Sequence, residues 1–421
     1  MEGFPHRPPA YWKHLAIPPD VRERTEEAER VHTRNVMEFV IQKSELVREL
    51  QTITGVVEKR ATLPILANLL LETTREGLRV GASDLEVTIR GTAKATVVRE
   101  GSVTLPAGKL YEIARSLPEA EVVFKLLDRN QVAISCERTR YKIGGQPRDE
   151  FPKFPDADLS KGIRVPAAAL HEMIGRVAFA ITTEDPRYSL HGALFLVRDG
   201  NITLVATDGY RLSYVSRKAD VASPGGEIRV IVPRKALSEV AKLASGLSDK
   251  DTVTFVKEGN HVIFAVGGHV LTSTVPEGTF PKYDEVMPKS CDTAIVVSTA
   301  EFADAVQRVS LLASDRYGRA VRFHLSSGKI ELSSETEMGE AHEVVPVDYA
   351  GDDKTIGFNA RYLLDFLGVV GTRSVRIELD PKRTGDADDA KRKPAGDKPG
   401  QLRPEPQGES DYRYIVMPRD L

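Results

Sequence analysis

The sequence predicts an α+β chain in which one strand-and-helix unit is used three times. A length of 421 residues exceeds what one hydrophobic core usually serves, so several domains are expected. Strand-like and helix-like segments follow one another in the same order three times, about eight strands and two helices per pass. The landmarks also recur at a fixed spacing. Arg60, Arg187 and Arg316 lie 127 and 129 residues apart (187 − 60 and 316 − 187), and Pro106, Pro233 and Asn359, each opening a helix, lie 127 (233 − 106) and 126 (359 − 233) apart. The helix-face residues Leu46, Met173 and Phe302 keep that offset. So long a period, far above the roughly 20 to 50 residues of stacked solenoids, makes each repeat a domain with its own core.

The elements follow in order. Residues 1–36 carry Pro5, Pro8, Pro9, Pro18, Pro19 and Trp12 before a charged run, RERTEEAER, and read as a poorly ordered extension. The pattern changes at Met37, which reads as an alternative start. The first domain, 37–157, begins with a strand over Phe39–Ile41. A helix follows with Ser44 as candidate N-cap and Leu46, Leu50 and Ile53 on one face. After Arg60 come a strand LPILANLLLE, a turn at Glu76 and Gly77, strands LRVGASD, LEVTIRG and SVTLP, and the helix GKLYEIARSL. Strands EVVFKLL and QVAISCE flank a turn at Asp128 to Asn130, and YKIGG precedes the proline-marked linker FPKFPDAD.

The second domain, 163–288, repeats this with a strand at Ile163–Val165 and a helix through Met173, Val177 and Ala180. Beyond Arg187 lie strands SLHGALFLV, ITLVATD, RLSYVS and EIRVIVP, the helix RKALSEVAKLA, and strands VTFVKE, HVIFAVG and HVLTSTV before FPKYDEVMP. The third domain, 293–421, opens with AIVVS and a helix face of Phe302, Val306 and Val309. AVRFHLS, KIELSSE, EAHEVVPV, TIGFN, the helix ARYLLDFLGVV, VRIEL and DYRYIVMP complete it. Residues 382–410 interrupt this repeat with seven Lys or Arg, six Asp or Glu and four prolines, against Ala387, Ala390, Ala395 and Leu402 as the apolar side chains. Such a segment buries too little to offset its ordering entropy and is expected to be a flexible insertion; a salt-dependent contact surface is the functional alternative.

Composition bounds the function. With 41% hydrophobic and 28% charged residues the chain is an ordinary globular protein, neither disordered nor fibrous. A net charge of -3 gives no global sign of nucleic-acid binding, yet a sum does not report how charge divides between an inner and an outer surface. Cys136 and Cys291 are too few and too far apart for a metal knuckle or a disulfide framework, which fits a reducing compartment; both read as buried small apolar residues. The sequence holds neither an apolar run of about 18 residues nor a secretory signal, so a cytoplasmic location without membrane association is expected.

Catalytic signatures are missing. Gly108-Lys109 lacks the spacing and the following Ser or Thr of a phosphate loop and reads as a helix start. The histidines show no metal-ligand spacing, and no G-x-S-x-G elbow occurs. The expectation is therefore a protein that is not an enzyme and has no cofactor, metal or catalytic residue. Two other readings stay open: a β-rich scaffold that recognises peptides without DNA, and a DNA-processing enzyme with dispersed carboxylates such as Asp84 and Asp208. Thr207-Asp208-Gly209-Tyr210-Arg211-Leu212 reads as a tight turn between strands. The ending Tyr414 to Leu421, rich in Val, Met, Leu and Pro, would form an adaptable apolar groove for short peptides if it lay beside that turn.

MEFVIQKSELVRELQTITGVVEKRATLPILANLLLE, RYSLHGALF, VATDGYRL, VIVPRKAL, FPKYDEVMP, IGFNARYLLDFL and YRYIVMP resemble the bacterial DNA polymerase III beta subunit, the sliding clamp, from Met37 to the C-terminus apart from residues 382–410. The resemblance implies three clamp-type domains, each with two helices packed on β-sheets, and two chains closing head to tail into a ring around duplex DNA. It implies a processivity factor that tethers the replicative DNA polymerase, is loaded by an ATP-dependent clamp loader, and docks other replication and repair proteins through a peptide groove. Lys43, Arg48, Lys109, Arg115, Arg176, Lys235, Lys242, Arg308 and Arg361, on the helices or at their ends, would meet phosphates without reading bases. The resemblance adds Arg60, Arg187 and Tyr188 as DNA contacts, with Glu184 where the family can carry an amide. Carried over to the groove are Leu190, Thr207, Gly209, Tyr210, Arg211, Leu212, Pro281, Val286, Ile415, Met417, Pro418 and Leu421, and to the dimer interface Tyr141, Ile143, Leu311 and Leu312. Tyr210 stands where His is common, and MPRDL departs from MPVRL or MPMRL by placing Asp420 where Arg is expected.

Overall fold

The computed structural model describes residues 37–58, 63–155, 158–182, 184–219, 226–248, 250–288, 291, 293–313, 320–379 and 398–419. Expectations for residues 1–36, Arg60, Arg316, residues 382–397, Asp420 and Leu421 fall outside them. Among the described residues the repeat appears as six α-helices in three packed pairs: α1 (Lys43–Ile53) with α2 (Ala107–Ser116), α3 (Ala167–Val177) with α4 (Arg234–Ala244), and α5 (Thr299–Ser310) with α6 (Ala360–Leu367).

Each helix is amphipathic at the spacing its sequence shows. Leu46, Leu50 and Ile53 are buried on α1, Met173 and Val177 on α3, and Phe302, Val306 and Val309 on α5. Pro106, Pro233 and Asn359 occupy the N-cap positions of α2, α4 and α6, which explains their common spacing. Asn359 caps chemically, its Oδ1 accepting from the backbone N–H of Arg361 at 2.9 Å, whereas the prolines have no such donor-satisfying oxygen. Ser44 is not a cap. Helix α1 starts one residue earlier, and Glu119 Oε1 accepts from Ser44 N–H at 3.0 Å while pairing with Lys43 at 3.2 Å, so a carboxylate distant in sequence does the capping.

The chain divides into two compact units, one holding the described residues up to Asp84 with Arg90–Lys153, the other Leu85–Ile89 with those from Phe154 onward. In the first, an antiparallel sheet runs in the order Thr96–Arg99, Glu38–Gln42, Glu121–Leu126, Gln131–Cys136, Thr139–Gly144, with Phe39 stacked on Phe124 at 4.7 Å. Strands Gly77–Ser83, Asn68–Thr74 and Gly101–Pro106 pair antiparallel beside one another. The strand expected over LPILANLLLE begins only at Asn68, because Pro64 opens a 3-10 turn over Pro64–Ala67. Cys136 is buried as expected, and burial pushes its thiol up; Cys291 is half-buried.

In the second unit, strands Ile163–Pro166, Thr252–Glu258, His261–Val266 and His269–Thr274 lie in that order. A second sheet joins the second and third repeats: Ile228–Pro233, Gly192–Arg198, Asn201–Thr207 and Arg211–Lys218 continue into Ser410–Val416, Gly400–Glu405, Ser374–Leu379 and Thr293–Ser298. The join is an antiparallel ladder from Arg211 opposite Val416 to Arg217 opposite Ser410. Four further strands, Gly339–Pro346, Lys329–Thr336, Ala320–Ser326 and Lys354–Asn359, form the remaining sheet of the third repeat. The structure corrects the extent of the expected insertion: Gly400–Glu405 is a strand paired with Ser374–Leu379, and its Leu402 is buried. Gly400, Gln401, Leu402 and Pro404 are buried there, and their burial with a ladder of backbone hydrogen bonds offsets the ordering entropy of this prolyl segment.

Candidate functional site

The turn between Asn201–Thr207 and Arg211–Lys218 is built by its own side chains. Thr207 Oγ1 donates to Arg211 O at 2.6 Å and accepts from Gly209 N–H at 3.1 Å, while Asp208 Oδ1 accepts from the N–H groups of Tyr210 and Arg211 at 2.9 and 3.0 Å. Gly209 sits at φ +90°, where a side chain is strained, and a Cβ there would lie 3.2 Å from the Arg187 guanidinium. The turn throws Tyr210 outward and turns Leu212 inward, so that their side chains border a cavity of about 170 Å³. Leu190, Leu212 and Ile415 make a buried floor continuous with the core of Leu194, Val205, Ile231, Phe280 and Tyr283. Tyr210, Val286 and Met417 form walls that are 52%, 46% and 38% exposed. The C-terminal strand comes alongside because Met417 N–H donates to Tyr210 O at 2.8 Å just beyond the inter-repeat ladder.

Ten of the twelve residues expected in the groove line this cavity: Leu190, Thr207, Gly209, Tyr210, Arg211, Leu212, Pro281, Val286, Ile415 and Met417. Pro418 is half-buried and does not line it, and Leu421 lies outside the described residues. The lining includes three residues not assigned to the groove from sequence: Arg187, Lys282 and Tyr283. Lys282 and Tyr283 stand inside FPKYDEVMP, the segment that also supplies Pro281 and Val286.

Arg211 differs in role from the rest. Its side chain is 10% exposed, and its guanidinium donates to Asp208 Oδ2 at 3.0 Å, Asp365 Oδ2 at 2.6 Å and Phe179 O at 2.7 Å, with its plane 4.4 Å from the Tyr362 ring centroid. Burial pushes its pKa down, but Tyr414 and the bond to Asp365 outweigh this, and the net shift is upward. The charge is turned into the protein and ties the turn to α6. Asp208 is equally occupied, its two oxygens taken by the turn and by Arg211, which removes it as a free carboxylate for catalysis.

The cations expected to meet phosphate are more heavily paired than their positions suggest. Lys109 pairs with Glu112 and Lys242 with Glu239, both at 2.7 Å; Arg48 pairs with Glu45, Arg308 with Glu343, and Lys43 with Glu119. Glu112 holds the Lys109 ammonium, and Glu343 the Arg308 guanidinium, above their ordinary pKa. Arg176 is a correction: its side chain is 16% exposed, pairs with Glu172 at 2.7 Å and lies 5.0 Å from the Tyr412 ring centroid, so its head is packed inside the second unit. Arg187 is exposed but clamped by Asp185, with bonds at 2.8 and 2.7 Å that lower the Asp185 carboxyl to about 2. Tyr188 opens the 3-10 turn Tyr188–Leu190, and Lys235 is half-buried at the start of α4. Arg115 and Arg361 are exposed, and among the described residues neither has a carboxylate within ion-pair distance.

Of the residues expected at a dimer interface, Tyr141 and Ile143 lie half-buried on the edge strand Thr139–Gly144. Leu311 is 74% exposed at the end of α5, with Leu312 half-buried beside it. The neighbouring edge strand Gly339–Pro346 adds exposed Val344 and, just before it, Met338, two apolar side chains that alternation alone did not distinguish from core.

The comparisons with known proteins agree with one another over most of the chain. Residues 37–155 match the DNA polymerase III beta subunit, N-terminal domain, residues 164–282 its central domain and residues 284–384 its C-terminal domain. The beta sliding clamp of Pseudomonas aeruginosa is 36% identical over 346 residues, 82% of this chain and 93% of that protein. The beta sliding clamp of Caulobacter vibrioides is 36% identical over 344 residues, 79% of this chain and 91% of that one. The crystal structure of the DNA polymerase III subunit beta from Pseudomonas aeruginosa superposes with a TM-score of 0.82 at 32% identity, covering 91% of this chain and 100% of that chain.

Proposed function

The chain belongs to the DNA polymerase III beta subunit family, and from that membership we propose how its own residues do the work of a clamp. As a member it is a sliding clamp, a processivity factor of DNA replication that associates with DNA and a DNA polymerase, dimerises and catalyses nothing itself. The proposal divides it into domains 37–157, 163–288 and 293–421, with two chains closing head to tail. Edge strands with unmatched backbone donors and acceptors and exposed apolar flanks can pair with a second chain, which supports Tyr141 and Ile143 meeting Leu311 and Leu312 across the joint.

In the closed ring Arg115 and Arg361 supply phosphate attraction together with Lys235, and Lys43, Arg48, Lys109, Lys242 and Arg308 supply it where their own carboxylates yield. Such contacts hold the backbone without reading bases, as a sliding protein requires. Topology retains the ring on DNA, so an ATP-driven loader must open it, with the nucleotide bound by that partner. The observation that carries the partner reading is the apolar-floored cavity at Thr207–Leu212, which accepts short peptide segments of the polymerase and of other replication and repair proteins in the cytoplasm.

Retention on DNA tests the ring. After loading on nicked circular DNA the protein is expected to co-elute with the circle in gel filtration and to leave it when one restriction cut linearises it. Loss at the same rate from circular and linear forms would overturn the proposal.

A further inference from the structure

We propose that Arg419 is a specificity-determining residue of the groove, selecting partner peptides that carry a carboxylate beside their apolar anchor; the inference rests on the groove being the partner-docking site. The C-terminal tail is pinned at two points, Met417 N–H to Tyr210 O and Arg419 N–H to Gly357 O, both at 2.8 Å. Its side chain folds back so that the guanidinium carbon stands 4.5 Å from the centroid of the Tyr210 ring. That ring is a half-exposed wall of the cavity, so Arg419 stands at the rim, outside the floor. Stacking uses the face of a guanidinium and leaves its in-plane N–H donors at the edge. Arg419 also reaches the Tyr362 hydroxyl, but among the described residues no carboxylate lies within ion-pair distance of it.

The other cations bordering the cavity are already engaged. Arg187 is held by Asp185 at 2.7 Å, Arg211 by Asp208 and Asp365 at 3.0 and 2.6 Å, and Lys282 by Glu285 at 3.4 Å. The planar donor fork of Arg is matched best by a carboxylate, which takes two parallel N–H bonds. A peptide that sinks an apolar side chain against Leu212 and Ile415 therefore brings its flanking residue to a rim where, among the described residues, the Arg419 guanidinium is the cation without a carboxylate partner. The chemistry is set by a tail in which Arg419 follows Met-Pro, and by an aromatic ring at Tyr210 that holds the guanidinium in place.

The test uses fluorescein-labelled octapeptides of Ser and Gly around a central Leu-Leu anchor, with Asp or the isosteric Asn placed at each flanking position in turn. Fluorescence anisotropy with the full-length protein is expected to show, at one or more positions, roughly fivefold tighter binding of the Asp form at low salt. The gap should vanish in Arg419→Gln, whose Tm and dimer mass are checked alongside, and shrink in Arg419→Lys, which keeps the charge and loses the fork. A wild-type protein that binds Asp and Asn forms equally at every position overturns the proposal, as does a gap that survives Arg419→Gln. The double variant Leu212→Ala, Met417→Ala separates the two readings. It should lose all the peptides; if it binds the Leu-Leu series as tightly as wild type, the groove is not the docking site and both readings fall.

Discussion

Arg211 shows how much a single side chain can hold. It enters the protein at the end of a tight turn and reaches Asp208, the Phe179 carbonyl, the Tyr362 ring and Asp365, the last of them 154 residues away in sequence. Removing it leaves Asp208 and Asp365 facing each other without the cation that reconciles them, a loss of the kind that costs several kcal/mol when the pair is buried. Asp365 is 31% exposed and so partly screened, which puts the expected cost of Arg211→Ala at about 3 kcal/mol in urea unfolding. Arg211→Lys should recover little, since a single ammonium cannot serve both carboxylates and the Phe179 carbonyl at once. Recovery of most of the stability by Lys would show that charge alone matters there. The turn itself was legible, because Asp and Gly between two apolar runs have a local meaning. The direction of Arg211 was not, because Asp365 and Tyr362 become its neighbours only after the second and third repeats have shared a sheet, and Phe179 only through the fold of the second.

At the scale of elements, periodicity carried most of the fold. The buried faces of α1, α3 and α5 are the apolar stripes that the sequence displays, and the three residues spaced near 127 apart fall on one structural position, the N-cap of each second helix. What spacing could not distinguish was how each cap works. Pro106 and Pro233 preset the backbone, whereas Asn359 satisfies the N–H groups of Arg361 and Tyr362 at 2.9 and 3.4 Å. Asn359→Ala is expected to cost about 1 kcal/mol in thermal or chemical unfolding, while Asn359→Asp should cost little, because a carboxylate accepts the same bonds and favours the helix N-terminus. An Ala variant as stable as wild type would mean that the shared position is held by packing alone. The shortfall at Ser44 has the same origin: its helix is capped by Glu119 from another element, a contact no local rule contains. Residues 400–405 failed in the opposite direction, since a polar, proline-rich composition concealed that Leu402 and Pro404 are buried.

At the scale of the whole molecule the repeat was legible and the charge pattern only half so. Sequence places the cations on helices, but their carboxylate partners come either from the next turn, as Glu112 does for Lys109, or from a separate strand, as Glu343 does for Arg308. Binding to a polyelectrolyte draws its free energy largely from released counterions, with log K falling by about 0.9 per phosphate contact for each unit of log salt on B-form DNA. A cation that already holds a carboxylate must surrender that partner before it counts fully. Arg115→Gln and Arg361→Gln are therefore each expected to flatten the salt slope of duplex binding by about 0.9, and Lys109→Gln by clearly less. Glu112→Gln should do the reverse: it frees the Lys109 ammonium, tightens binding at low salt and steepens the slope. Anisotropy of a labelled linear duplex, followed between about 50 and 200 mM salt, measures all four. Equal slope changes for Arg115, Arg361 and Lys109 would mean that the internal ion pairs dissolve freely on DNA; a Glu112→Gln protein indistinguishable from wild type would mean that α2 does not meet the duplex at all.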